Sequence, residues 1–106
     1  MANPVQFQST FNEQAQVSVR GGTSFACDKN VNQAFATAAI TITLPLLAPD
    51  GHYVKILAVG GAVTVAAPAG QTIAGTTSHD TIAQHSAGGY TFDAPSLSWV
   101  ADDLSS

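Results

Sequence analysis

From Ile40 onward the apolar residues fall into strand-like patterns. Ile40, Ile42 and Leu44 alternate with Thr41 and Thr43, the period-2 signature of a half-buried strand. Pro45 has no N–H for a ladder, so it ends this strand or sets it at an edge. Ala48-Pro49-Asp50-Gly51 carries proline second and glycine fourth, the chemistry of a type I turn. In residues 52–59, Val54, Ile56 and Ala58 share one face and Tyr53, Leu57 and Val59 the other. A strand apolar on both faces is central, or covered by a second sheet or a neighbouring subunit. Gly60-Gly61 offers the positive φ angles of a two-residue hairpin. Val63 and Val65 then form the return strand, closed by Pro68-Ala69-Gly70.

Downstream signals are shorter. Residues 71–74 read as a brief strand with Ile73 inward, and residues 75–80 as a polar loop. Thr81 to Ala83 can pair briefly, and Gly88-Gly89 marks a turn. Tyr90 and Phe92 share a face, Ala94-Pro95-Ser96 turns the chain, and Leu97, Trp99 and Ala101 line one side of a last strand. Asp102 and Asp103 end it in solvent. Residues 1–37 differ: they are rich in Gln and Asn, and their apolar residues are thinly spaced. Val17 and Val19 alternate with polar neighbours up to Gly21-Gly22, a short strand; residues 28–39 read as loop leading into strand. Short strands punctuated by Gly and Pro, without a long helix, predict an all-β protein. The expected architecture is a small antiparallel β-sandwich or barrel, a meander over residues 38–106, with residues 1–37 an extended N-terminal arm holding one strand. No internal repeat of solenoid period is evident.

Composition sharpens this. At 106 residues the chain has room for one domain with a modest core. Charged residues are 9% of it, against about 25% in ordinary soluble domains. Two explanations apply: 20 residues are Ser or Thr, which clothe a surface without charge, and copies of the chain or a partner cover part of it. The net charge is −4, and the cations are Arg20, Lys29 and Lys55. Nucleic-acid binding needs several cations to neutralise phosphates, so that class is nearly excluded. An anionic membrane surface is disfavoured for the same reason. No apolar run approaches the roughly 20 residues that span a bilayer, and the N-terminus lacks the n- and h-regions of a signal peptide. The expectation is a soluble chain, not exported by itself and with no membrane partner. Cys27 is the only cysteine, so no intrachain disulfide can form; it reads as a small apolar residue.

Candidate chemistry is sparse. His79 and His85 are six apart, matching no common metal site within one chain, although one histidine per chain on a threefold axis could hold a metal. No G-x-S-x-G elbow supports a Ser-His-Asp site, and Glu13 is the only glutamate, so paired-carboxylate hydrolysis is poorly supported. The double glycines lack the Lys and following helix of a phosphate loop. Trp99, Tyr90 and Tyr53 could form a sugar-stacking platform, but alternation puts Trp99 with Leu97 and Tyr90 with Phe92, which favours core packing. The expectation is a protein that is not an enzyme, with no catalytic residue, metal, cofactor or small-molecule substrate.

The ordered runs I-T-I-T-L-P, D-G-x-x-V-K-I, G-G-A-V-T-V, G-x-T-I-x-G and G-G-x-x-F…W, from Ile40 to Trp99, resemble a β-module of tailed-bacteriophage structural proteins. A short chain with a Gln/Asn-rich arm is similar to small trimeric capsid-decoration (cement) proteins. The resemblance implies a homotrimer on the outside of the virion capsid, made in the host cytoplasm, which binds the major capsid protein and stabilises the shell. In that role Phe7, Phe11, Val17 and Val19 of the arm would meet the capsid, and Tyr53, Leu57, Val59 and Trp99 would form trimer contacts. The alternative is a tail-fibre or tail-spike module that binds a host surface glycan or receptor.

Overall fold

The computed structural model describes residues 17–75 and 77–103, with only the backbone of residues 102 and 103. Ten strands form the described fold, and it contains no helix. They are β1 (Ser18–Gly21), β2 (Phe25–Ala26), β3 (Gln33–Ala36), β4 (Thr41–Thr43), β5 (Tyr53–Ala58), β6 (Val63–Ala66), β7 (Thr72–Ile73), β8 (His79–Ile82), β9 (Ser86–Asp93) and β10 (Ser98–Asp103). A six-stranded sheet has the order β1-β3-β5-β9-β10-β7, and a four-stranded sheet the order β2-β4-β6-β8.

Up to β6 the chain alternates between the two sheets, odd strands in one and even strands in the other. Each strand lies parallel to the one a full circuit earlier: β1 on β3, β3 on β5, β2 on β4 and β4 on β6. The chain thus winds through three coils. The far end is finished by antiparallel strands, β9 against β5 and β8 against β6. A hairpin then adds β10 to β9, and β7 lies parallel to β10. The expectation of antiparallel sheets in meander order is therefore corrected to two mixed sheets.

Two glycine pairs explain the difference. Gly60-Gly61 does not close a hairpin, since β5 and β6 lie in different sheets, and neither glycine has positive φ. It passes instead against the corner of the preceding coil. A Cβ on Gly60 would fall inside the Thr37 carbonyl, and one on Gly61 would stand 2.6 Å from the Ala39 nitrogen. Backbone hydrogen bonds tie the corners together, from Thr37 N–H to the Gly21 carbonyl at 2.9 Å and from Gly60 N–H to the Ala36 carbonyl at 3.0 Å. Glycine serves here for close approach of two backbones, which is indifferent to the sign of φ. Gly88-Gly89 is not a turn either; it lies inside the eight-residue β9.

Other expectations survive. The face of β5 carrying Val54, Ile56 and Ala58 is buried, and the strand is central, between β3 and β9. Ile40, Ile42 and Leu44 are buried, and Pro45 stands two residues beyond the end of β4. The turn before β5 closes one residue late, through His52 N–H to the Pro49 carbonyl at 3.0 Å, with Gly51 at φ +84°. Residues 94–97 make a tight hairpin between β9 and β10, with Leu97 at φ +55°.

One core joins the sheets. Ala34, Ala36, Val54, Ile56, Ala58, Tyr90, Phe92 and Trp99 enter it from the larger sheet, and Ile42, Val63, Val65 and Ile82 from the smaller. Cys27 and Val31 belong to the same core. Within residues 17–37 there are three strands rather than the single one expected, and β3 is interior to its sheet. This part of the chain is integral to the core. Residues 1–16 of the expected arm lie outside the described residues.

Candidate functional site

The outer face of the six-stranded sheet is a broad surface that the core does not use. Pleating sends alternate residues outward, and the registers align them in rows. Arg20, Phe35, Leu57 and Ala87 form one row; Ser18, Gln33, Lys55 and Gly89 form the next. Tyr53, Thr91 and Val100 form a third. Val59 continues the outward side of β5 beyond the first row.

This face is apolar for a surface. Val100 is 58% exposed, Val59 43% and Tyr53 39%; Phe35 and Leu57 are half-buried. The Arg20 guanidinium lies 4.3 Å from the centre of the Phe35 ring, a cation–π contact that covers part of that ring. The Tyr53 ring lies over Gly89, where a Cβ would stand 2.8 Å from its Cε1. Glycine at 89 therefore lets the tyrosine lie flat across the sheet. Of the three cations, Arg20 and Lys55 sit on this face.

Of the expected subunit contacts, Tyr53, Leu57 and Val59 thus lie together on this face. Trp99 does not. It is wholly buried, packs on Phe92 with ring centres 5.0 Å apart, and donates its indole N–H to the Gln71 side-chain oxygen at 2.9 Å. Trp99 is corrected to a core residue that offers no surface to a second copy. Val100, its neighbour in β10, points outward instead; sequence alternation places it opposite Trp99, and this was the available signal. Of the expected shell contacts, Val17 is exposed, and Val19 is partly buried and packs against the core. Phe7 and Phe11 lie outside the described residues.

A second group of exposed apolar residues, Leu46, Leu47 and Leu97, lies on turns. Gln71 connects this region. Its side-chain nitrogen donates to the Leu46 carbonyl at 3.2 Å, and the next residue, Thr72, donates its N–H to the Leu97 carbonyl at 3.1 Å.

The polar side chains that could carry chemistry are dispersed. The His52 Nε2 contacts the Val31 carbonyl at 2.9 Å, and His79 Nδ1 contacts the Ser78 hydroxyl at 2.9 Å. His85 is exposed at φ +70°. Among the described residues no group of three or more His, Cys, Asp or Glu side chains could hold a metal ion. Tyr90 is buried and donates its hydroxyl to Asp80 at 2.8 Å, which satisfies a core phenol. Cys27 is buried, and desolvation pushes its thiol up to about 12, the behaviour of a packing cysteine rather than a nucleophile. None of the described helices is long and apolar enough to cross a membrane, as none is present. The chain matches no protein-family model and no curated protein.

Proposed function

We propose that this protein is a structural component of a virion, a decoration protein that binds the outside of a tailed-phage capsid as a homotrimer and stabilises the shell. The observation that carries this reading is the outer face of the six-stranded sheet. There Tyr53, Leu57, Val59 and Val100 form an apolar surface on a chain with 9% charged residues. Exposed apolar residues gathered on one sheet face of a small domain mark an interaction site, and a chain this poor in charge gains most by covering them with its own copies. In this reading the two sheets are the layers of a β-sandwich, and the larger one turns its outer face to the other subunits. The N-terminal end of the chain, residues 1–17, meets the major capsid protein. The protein is made in the host cytoplasm, resides on the capsid exterior, and requires no cofactor, nucleic acid, membrane or small-molecule substrate. It performs no catalysis.

The alternative, a tail-fibre or tail-spike module that binds a host glycan or receptor, loses two of its three candidate stacking rings, because Trp99 and Tyr90 are buried. Two measurements test the main reading. Sedimentation should give the mass of a trimer, and purified protein added to expanded, undecorated capsids should bind and raise their resistance to heat. A stable monomer that ignores capsids but binds glycans on an array would transfer the assignment to the alternative.

A further inference from the structure

Charge is unevenly placed on this molecule. Among the described side chains the cations are Arg20, Lys29 and Lys55, and the carboxylates are Asp28, Asp50, Asp80 and Asp93. Arg20 and Lys55 stand in adjacent rows on the outer face of the six-stranded sheet. The Arg20 guanidinium lies on the Phe35 ring, and no carboxylate among the described residues pairs with either cation. That face is thus apolar and cationic on a chain of net charge −4. Asp102 falls at the far end of the Lys55 row, across Gly89.

Asp28, Asp50 and Asp93 gather where the turns of residues 27–32, 44–52 and 94–97 meet, at one end of the sheets. Asp50 accepts the Ala94 N–H at 2.9 Å, and the Asp93 carboxylate accepts the Ser96 hydroxyl. His52, two residues after Asp50, contacts the Val31 carbonyl of the Asp28 turn at 2.9 Å. Lys29 is the cation of this end. The same turns expose Leu46, Leu47 and Leu97, with Leu47 72% exposed, and Gln71 and Thr72 tie the first and last of these together. Leu97 also holds its left-handed φ of +55°, where glycine would be unstrained. A bulky apolar side chain is thus kept in solvent against its backbone preference, and such an outlier points to a functional surface.

We propose that the outer face of one copy seats on the acidic, leucine-bearing end of the next copy. The proposal rests on the reading of the protein as a self-assembling trimer and names what the outer face meets. Arg20 and Lys55 meet the carboxylates of that end, and Leu57 and Tyr53 cover its leucines. Opposite charge fixes the orientation of such a contact. A face packed on its own copy would instead gather the cations of both chains in one interface, where like charges repel. Side chains of the face project from the sheet, whereas the turns extend along the strands, so the two surfaces are roughly perpendicular. A head-to-tail contact between surfaces at that angle turns each copy relative to the last, and it closes into a small ring instead of a filament.

Sedimentation of the full chain without capsids tests this with two variants at outward positions. Leu57→Asp sets a carboxylate on the face, and Leu47→Lys sets an ammonium on the end. Each variant alone should be monomeric where the unaltered chain is assembled, with Trp99 fluorescence unchanged as the check of folding. Each keeps one unaltered surface. An equimolar mixture, well above the concentration at which the unaltered chain assembles, should therefore give a particle of two chains and nothing larger. In it the end of the Leu57→Asp chain docks on the face of the Leu47→Lys chain. If Leu47→Lys assembles like the unaltered chain, the proposal is overturned and the face meets its own copy. A mixture that stays monomeric overturns it as well. An unaltered chain that is monomeric at every concentration is a separate failure, that of the trimer reading itself, and the contact falls with it.

Discussion

Gly60 and Gly51 are both glycines at bends, but for different reasons. At Gly51, φ is +84° and no atom lies near an added Cβ. Gly51→Ala should therefore cost only the left-handed penalty, about 1 kcal/mol. At Gly60 a methyl group would enter the Thr37 carbonyl, and backbone on both sides must move. Gly60→Ala should cost about 3 kcal/mol or more, measured by denaturant unfolding with Trp99 fluorescence; equal costs at the two sites would refute the close-packed corner. Cys27 supplies a pH prediction. Its thiol is raised from 9.0 to about 12 by burial, so between those values the unfolded chain loses a proton that the folded chain keeps. Stability should fall as pH rises through this window, with a slope approaching about 1.4 kcal/mol per pH unit. Cys27→Ala should flatten the slope, and an unchanged slope would mean that the thiol is not desolvated.

Among the elements, the C-terminal hairpin depends on a side chain that is not part of it. Gln71 accepts from the Trp99 indole and donates to the Leu46 carbonyl, which ties β10 to the turn after β4. Replacing it with alanine leaves a buried indole N–H unpaired. Gln71→Ala should destabilise the fold by about 1–3 kcal/mol, read in the same unfolding experiment, with a shift in the folded-state emission of Trp99. If neither changes, the bridge contributes nothing. The pairing of elements was the least legible part of the sequence. Ile40, Ile42 and Leu44 announce a strand, and residues 52–59 announce a central one, because alternation is local to each pleated strand. That β5 joins β3 and β9 rather than β6 depends on contacts between residues far apart in the chain. Gly60-Gly61 satisfies a hairpin and a coil corner equally well.

At the scale of the molecule, adjacent residues of β5 face opposite environments. Ile56 is buried in the core, and Leu57 lies on the outer face. Leu57→Lys should leave the unfolding free energy of the chain within about 0.5 kcal/mol, as surface changes usually do, while dissociating the proposed trimer in sedimentation. Ile56→Lys should abolish folding, since it buries an unpaired charge. An intact oligomer in Leu57→Lys would move the subunit contact elsewhere, with Leu46, Leu47 and Leu97 the next surface to alter. The candidate face was half legible in advance. Tyr53, Leu57 and Val59 follow from the second apolar face of one strand, whereas Trp99 went to the core and Val100 to the surface once β10 paired with β9.

The amino-acid sequence alone determined that the protein is built of strands, that Val54, Ile56, Ala58 and Ile42 turn inward, and that few charged groups clothe it. Each is a property of local periodicity or composition. The tertiary structure alone decided that the strands run in parallel coils, that Gly60-Gly61 lets two backbones approach while Gly89 makes room for the Tyr53 ring, and that the odd strands share one sheet with a common outer face. Pairing is decided there because a strand's edge can accept any neighbour of suitable register, and only closure of the whole core selects one.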